Sequence, residues 1–190
     1  MTPLAFLEQL YANCEPGWLS LFTIDRNTGT NRVRWYRTDE LERIVTEIDP
    51  ARCTWFGVAT RRQRLDDGAR GGAADCQQLP ALWLDLDVID PIRHKTSKPL
   101  IPNREAALQL LADHPVAPTY IVDTGGGLQA WWILTEPLDV ASGEAQQTLD
   151  AWRDTWATLA GRRSWHLDNV HDVPRIMRLP GTRNMKSAAA

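Results

Sequence analysis

Residues 83–88, Trp-Leu-Asp-Leu-Asp-Val, set two carboxylates into a run whose apolar members predict a buried strand. Side chains alternate across a strand, so Asp85 and Asp87 share one face while Leu84, Leu86 and Val88 share the other. Two like charges side by side are costly, and a protein normally keeps such a pair where a cation neutralises it. Carboxylate oxygens with no cysteine or histidine beside them suit Mg²⁺ or Mn²⁺ rather than zinc. A strand end running into solvent would look the same, so the motifs that follow decide the meaning.

The next motif is Asp123-Thr124-Gly125-Gly126-Gly127-Leu128-Gln129-Ala130-Trp131-Trp132. Three glycines between two strands let backbone approach a ligand closely, and successive N–H groups can cradle phosphate oxygens. Thr124 and Gln129 add side-chain donors; a plain flexible hairpin is the bland alternative. No Gly-Lys-Ser/Thr follows and no Gly-x-Gly-x-x-Gly is present, which excludes a Walker loop and a dinucleotide fingerprint. The third stretch, residues 166–186, offers a further carboxylate at Asp168 or Asp172, then Arg175, Arg178, Arg183 and Lys186. Carboxylates for metals, donors for a triphosphate and cations for developing charge are what divalent-metal phosphoryl transfer requires. His166 and His171 could ligate a metal, but isolated histidines are more often surface or hydrogen-bonding residues.

The whole chain bounds these readings. Its 190 residues, 43% hydrophobic, suffice for one substantial core, and no apolar run is long enough to span a membrane. The start lacks the basic and apolar regions of a signal peptide. Cys14, Cys53 and Cys76 are odd in number and far apart, which argues for a reducing cytosol and against a zinc ribbon or disulfide framework. The net charge of −3 hides a local asymmetry: Arg61, Arg62, Arg64 and Arg70 cluster, and no acid follows Asp172. Such clusters are ordinarily solvated faces; beside an acidic site they are candidate phosphate-binding surfaces.

The elements that must position these residues are legible from patterning. Thr2-Pro3 opens a short helix with Leu4, Leu7, Leu10 and Tyr11 on one face. Strands are expected over 18–24 and 30–37, a hairpin around Asn27-Thr28-Gly29. Thr38 is the expected cap of a helix to about Ile48. A strand is expected over 53–60, a long polar loop over 61–79, and the aspartate strand over 81–88. After an irregular connection over 90–102, Asn103 caps a helix, strands are expected over 119–123 and 128–134, and a long helix runs from Ser142 to near Gly161. The expected class is α+β, a mixed or antiparallel sheet flanked by helices, in a single domain. Residues 1–50 could form a small N-terminal α/β lobe and 51–186 the core, and the chain reads as a fragment of a longer protein.

These three stretches, in this order and spacing, resemble the archaeo-eukaryotic primase superfamily, most closely the primase-polymerase domains of phages, plasmids and CRISPR-associated proteins. Asp85-Leu86-Asp87 matches its Asp-x-Asp/Glu motif, Thr124 to Gln129 its glycine-rich second motif, and Asp168 with Arg175 through Lys186 its third, an Asp upstream of Arg-x-x-Arg-Leu-Pro-Gly-Thr-x-Asn-x-Lys. The resemblance covers roughly residues 50–186. It implies an RRM-like catalytic core and a DNA primase and polymerase that makes and extends primers on single-stranded DNA by a two-metal mechanism. Asp85, Asp87 and Asp168 would be the catalytic metal ligands, holding two Mg²⁺ or Mn²⁺ ions. Thr124, Gly126, Gly127, Gln129, Arg175, Arg178 and Lys186 would bind the NTP or dNTP, and Arg61, Arg62, Arg64 and Arg70 the template. Asp168 is favoured over Asp172 because the longer gap before the arginines matches the family; Asp172 would then order Arg175 or its loop. Gln129 stands where the family has histidine, and an amide donates without adding charge. The implied setting is cytoplasmic replication of bacterial, phage or plasmid type, with a helicase domain or protein as a further candidate partner.

Two other functions share part of the pattern. A metal-dependent nuclease also clusters aspartates but needs neither the glycine turn nor the cationic tail. A weakly active or non-catalytic DNA-binding module of a replication initiator would tolerate Gln129. A rolling-circle nickase is disfavoured, since no His-x-His pair occurs.

Overall fold

Alternating apolar residues and an Asx turn make the first hairpin. Strands β1 (Trp18–Ile24) and β2 (Asn31–Arg37) pair antiparallel, Trp18 opposite Arg37 through Ile24 opposite Asn31. Between them Asp25 Oδ1 accepts from the Asn27 and Thr28 amides, and Gly29 takes φ 70° as its N–H donates to Asp25 O. The structure is a computed structural model that describes residues 1–90 and 98–185. Among the described residues no helix is long and apolar enough to cross a membrane.

The chain divides into two units. The first comprises Met1–Ala81, Ile133–Gln146 and Asp172–Ala190. Its four-stranded antiparallel sheet has the order β2-β1-β3-β7, where β3 is Cys53–Gly57 and β7 is Ile176–Arg178. Helix α1 (Pro3–Tyr11) starts as expected, with Thr2 Oγ1 accepting from the Ala5 amide and Pro3 in the first turn. It buries Phe6, Leu7, Leu10 and Tyr11, sets Phe6 edge-on to Phe56 of β3, and donates the Tyr11 hydroxyl to the carbonyls of Gly57 and Val58. Helix α2 is short, Leu41–Thr46, and buries Leu41 and Ile44. Thr38 does not cap it, because its hydroxyl accepts from the Gly17 amide instead. The expected strand 53–60 stops at Gly57, and the polar segment after it holds a single 3-10 turn, Ala73–Asp75.

The second unit comprises Leu82–Trp132 and Gln147–His171. The three-stranded sheet runs β4-β6-β5, with β4 Gln78–Asp87, β5 Tyr120–Asp123 and β6 Gly127–Asp139. β5 and β6 are antiparallel, and the bonds Val88 N–H to Gly126 O and Val140 N–H to Gln77 O give β4 the opposite sense to β6 as well. Asn103 Oδ1 caps α3 (Arg104–Ala112) by accepting from the Ala106 amide, and α3 buries Ala107, Leu110 and Leu111. Helix α4 (Glu144–Gly161) packs through Trp152 and Trp156 on Trp132 of β6, and His114 stacks on Trp156 at 5.1 Å. The fold class is thus α+β, antiparallel sheets with helices laid against them.

Candidate active site

Strand β4 carries the first two carboxylates as its alternation requires. Leu84, Leu86 and Val88 are buried on one face, and Asp85 and Asp87 are half-buried on the other. Trp83 shares the aspartates' face and is fully buried. Its ring lies 6.2 Å from that of Trp131, which sets Trp131, and with it Gln129 and Gly127, on the same face of β6. Gln129 is 4% exposed and its Oε1 accepts no hydrogen bond. Turning the amide over would present Nε2 there, a donor to an anion. Trp131 and Trp132 are both core residues.

The glycine turn is tied into the sheet. Asp123 Oδ1 accepts from the Gly125 amide and pairs with Arg104, Gly125 takes φ 79°, and the Thr124 amide and hydroxyl both donate to Gly127 O. Gly126 and Gly127 are buried. A Cβ at Gly127 would stand 2.0 Å from Leu86 O and 3.1 Å from Asp87 Cα. The missing side chain therefore serves the approach of β6 to β4 beside Asp87, a role the sequence did not reveal.

Asp168 lies in a segment anchored on the same strand. Trp83 Nε1 donates to Val170 O, His171 Nε2 donates to Trp83 O, and the imidazole stacks on the Trp83 ring at 6.1 Å. His171 is thus a buried packing residue. The Asp168 carboxylate is exposed and accepts from Lys98 Nζ at 3.4 Å, with His166 Nε2 3.3 Å away. Among the described residues no three histidine, cysteine, aspartate or glutamate side chains stand close enough together to hold a metal ion. The donors on β4 nevertheless fit a hard divalent ion: two carboxylates on one face, with no sulfur or imidazole on that strand. Lys98 and Asp123 with Arg104 are the neighbours that sequence reading missed; nothing in their spacing marks them.

The expected cations sit in the first unit. Asp172 accepts from Arg175 Nε at 2.6 Å, the ordering role expected for it. Arg178 is 8% exposed, stacks on the Trp55 ring at 4.8 Å and donates to Arg183 O and Asn184 Oδ1. Lys186 lies outside the described residues. Arg61 corrects an expectation: it is fully buried, donates from Nη1 to Ala59 O at 2.6 Å, and cannot reach a template strand in this conformation. Gly57 and Ser20 leave room for it; a Cβ at Gly57 would stand 2.6 Å from Ser20 Oγ and 3.7 Å from Arg61 Nη2. Arg62, Arg64 and Arg70 are exposed, Arg64 paired with Asp67 and Arg70 over the Phe22 ring.

No protein-family model and no curated protein matches the sequence. Solved structures do match the fold. The chain is similar over 100% of its length to 82% of the catalytic domain of primase RepB′ in complex with initiator DNA, at TM-score 0.53 and 14% identity. A second RepB′ structure gives TM-score 0.53 and 14% identity over 99% of this chain and 53% of that one. The archaeo-eukaryotic primase domain of the cyanophage S-2L primase-polymerase gives TM-score 0.55 and 18% identity over 100% of this chain and 85% of that one. The chain therefore shares its fold with these primase and primase-polymerase domains.

Proposed function

We propose that this chain is a template-directed nucleotidyl transferase that makes and extends primers on single-stranded DNA. One observation carries the reading: in a primase-type fold, Asp85 and Asp87 project from one face of β4, with Gln129 on the same face. Asp85, Asp87 and Asp168 would hold Mg²⁺ or Mn²⁺, which when bound lowers the pKa of an attacking 3′-hydroxyl and neutralises the triphosphate. The protein's own residues do the rest. Trp83 anchors the Asp168 segment, and the lack of a side chain at Gly127 lets β6 lie close against β4 beside Asp87. Gln129 would offer an amide to a phosphate oxygen, and Arg175, Arg178 and Lys186 are the cations proposed for the incoming nucleotide. Arg62, Arg64 and Arg70 take template phosphates. A neighbouring fold that holds initiator DNA supports a DNA substrate.

A second reading, a DNA-binding module without turnover, is favoured by the position of Asp168 against Lys98 and His166 rather than in a three-carboxylate group. One assay separates the two: single-stranded template, labelled NTPs or dNTPs and Mg²⁺ or Mn²⁺, with and without primer. Metal-dependent product that vanishes in Asp85→Ala/Asp87→Ala is the expected result. Template binding without product under every condition selects the second reading, and template shortening selects a nuclease.

A further inference from the structure

The register of the first unit's sheet brings aromatic and cationic residues onto one face. Phe22 of β1 pairs directly with Trp55 of β3, and Trp55 pairs with Arg178 of β7, so all three point the same way. Phe22 and Trp55 are half-exposed, with ring centroids 5.8 Å apart. Each ring carries a guanidinium from an exposed arginine: Arg70 lies 5.6 Å from Phe22 and Arg26 lies 5.8 Å from Trp55. The opposite face, with Leu21 and Phe56, packs the helices and is buried. A fold that needed only a core would have no use for two large aromatics on its second face under mobile-ended cations.

We propose that this face is a stacking platform for the bases of single-stranded nucleic acid. The inference rests on the reading that the chain works on single-stranded DNA, and it names the surface that grips it. Every base has a π-face, so aromatic platforms bind single strands with little sequence preference, while flanking arginines track the phosphates. Arg26 and Arg70 hold the places on the rings that two bases would take. Displaced by those bases, their guanidinium groups turn outward to phosphate oxygens, a better partner than a ring. Arg178, 8% exposed and 4.8 Å from the Trp55 ring, stays and supports it. The occupant is thus an unpaired strand: a duplex keeps its bases stacked on one another, and an acidic peptide has nothing to stack.

The test is fluorescence anisotropy with a labelled oligo-dT of about 16 nucleotides, the upper end of single-strand site sizes, in EDTA and without nucleotides. Trp55→Ala weakens binding roughly tenfold, Trp55→Phe keeps most of it, and Arg26→Gln with Arg70→Gln flattens the log–log salt slope by about 1.4, two phosphate contacts on a single strand. A backbone of the same length lacking bases binds the wild type as weakly as oligo-dT binds Trp55→Ala. That comparison needs no variant, so it stands even where Trp55→Ala fails to fold. Equal affinity for the baseless backbone, for duplex or for polyglutamate overturns the platform, as does a folded Trp55→Ala with wild-type affinity. Because metal and nucleotide are absent, platform binding can persist where synthesis fails, so failure of the platform in this assay is distinct from failure of the proposed chemistry.

Discussion

Strand β4 turns Asp85 and Asp87 to one face and Leu84, Leu86 and Val88 to the other, whereas β1 and β3 turn Phe22 and Trp55 to one face and Leu21 and Phe56 to the other. The alternation is the same and the chemistry is opposite. The acidic face concentrates like charge that a bound cation would offset. The aromatic face comes with its own cations, Arg26, Arg70 and Arg178, already seated on the rings. On the proposed function the first region would depend on metal in the medium, and on the proposed platform the second would depend on salt.

The sharpest test of that contrast is to break each region while measuring both properties. Asp85→Ala or Asp87→Ala is expected to reduce nucleotide incorporation by several orders of magnitude and to leave metal-free oligonucleotide binding and thermal stability unchanged or improved. Loss of binding along with activity would show that the two faces are not independent. Asp168→Asn is expected to cost nearly as much activity, and Asp172→Asn far less, because Asp172 is engaged with Arg175. Steady-state rates at saturating Mn²⁺ check the ranking, and the reverse order would make Asp172 the metal ligand. Gly127→Ala forces a methyl to within 2.0 Å of Leu86 O, so it is expected to cost at least about 1–3 kcal/mol in denaturant unfolding and to lower activity with it. A neutral Gly127→Ala would mean that β4 and β6 can part without moving Asp87.

The smallest expected effect lies beneath the aromatic face. Tyr11→Phe removes the donor to two buried carbonyls, Gly57 O at 2.8 Å and Val58 O at 3.2 Å, and should cost roughly 1–3 kcal/mol. Burial holds the Tyr11 phenol well above its ordinary value of 10.0, the nearby Cys14 adding to it and Arg61 opposing. The folded state keeps that proton where the unfolded chain releases it, so its contribution is full below pH 10 and declines as pH rises beyond it. Unfolding measured across that range should show a steeper decline in the wild type than in Tyr11→Phe, where burial of Tyr36, Cys14 and Cys76 still holds their protons above the ordinary values.

Periodicity and caps carried most of the fold. The hairpin expected over 18–24 and 30–37 is β1 and β2 almost residue for residue, and the Thr2 and Asn103 caps are where their chemistry put them. β7 escaped notice because three residues within a motif show no period. Arg61 misled for a different reason: its sequence neighbours are exposed arginines, and only the small side chains at Ser20 and Gly57, distant in sequence, explain how a guanidinium could be buried there. The site is legible as residue types, and less so as geometry. Asp85 and Asp87 share a face by local alternation, which sequence dictates, whereas the neighbours of Asp168 depend on how Lys98 and Trp83 meet a loop some seventy or more residues away.

The cluster beneath α4 gives this protein a built-in optical signal. Trp132, Trp152 and Trp156 stand with ring centroids 4.8, 5.5 and 5.6 Å apart, close enough for their electronic transitions to couple. Coupled indoles in a fixed chiral arrangement give a near-ultraviolet circular dichroism band that disappears when side-chain packing loosens, even while backbone structure persists. The contribution of this cluster belongs to the second unit, so once the signal of Trp18, Trp35 and Trp55 in the first unit is subtracted by substituting them, the unit bearing the aspartates can be watched as it tightens or melts, with no label attached.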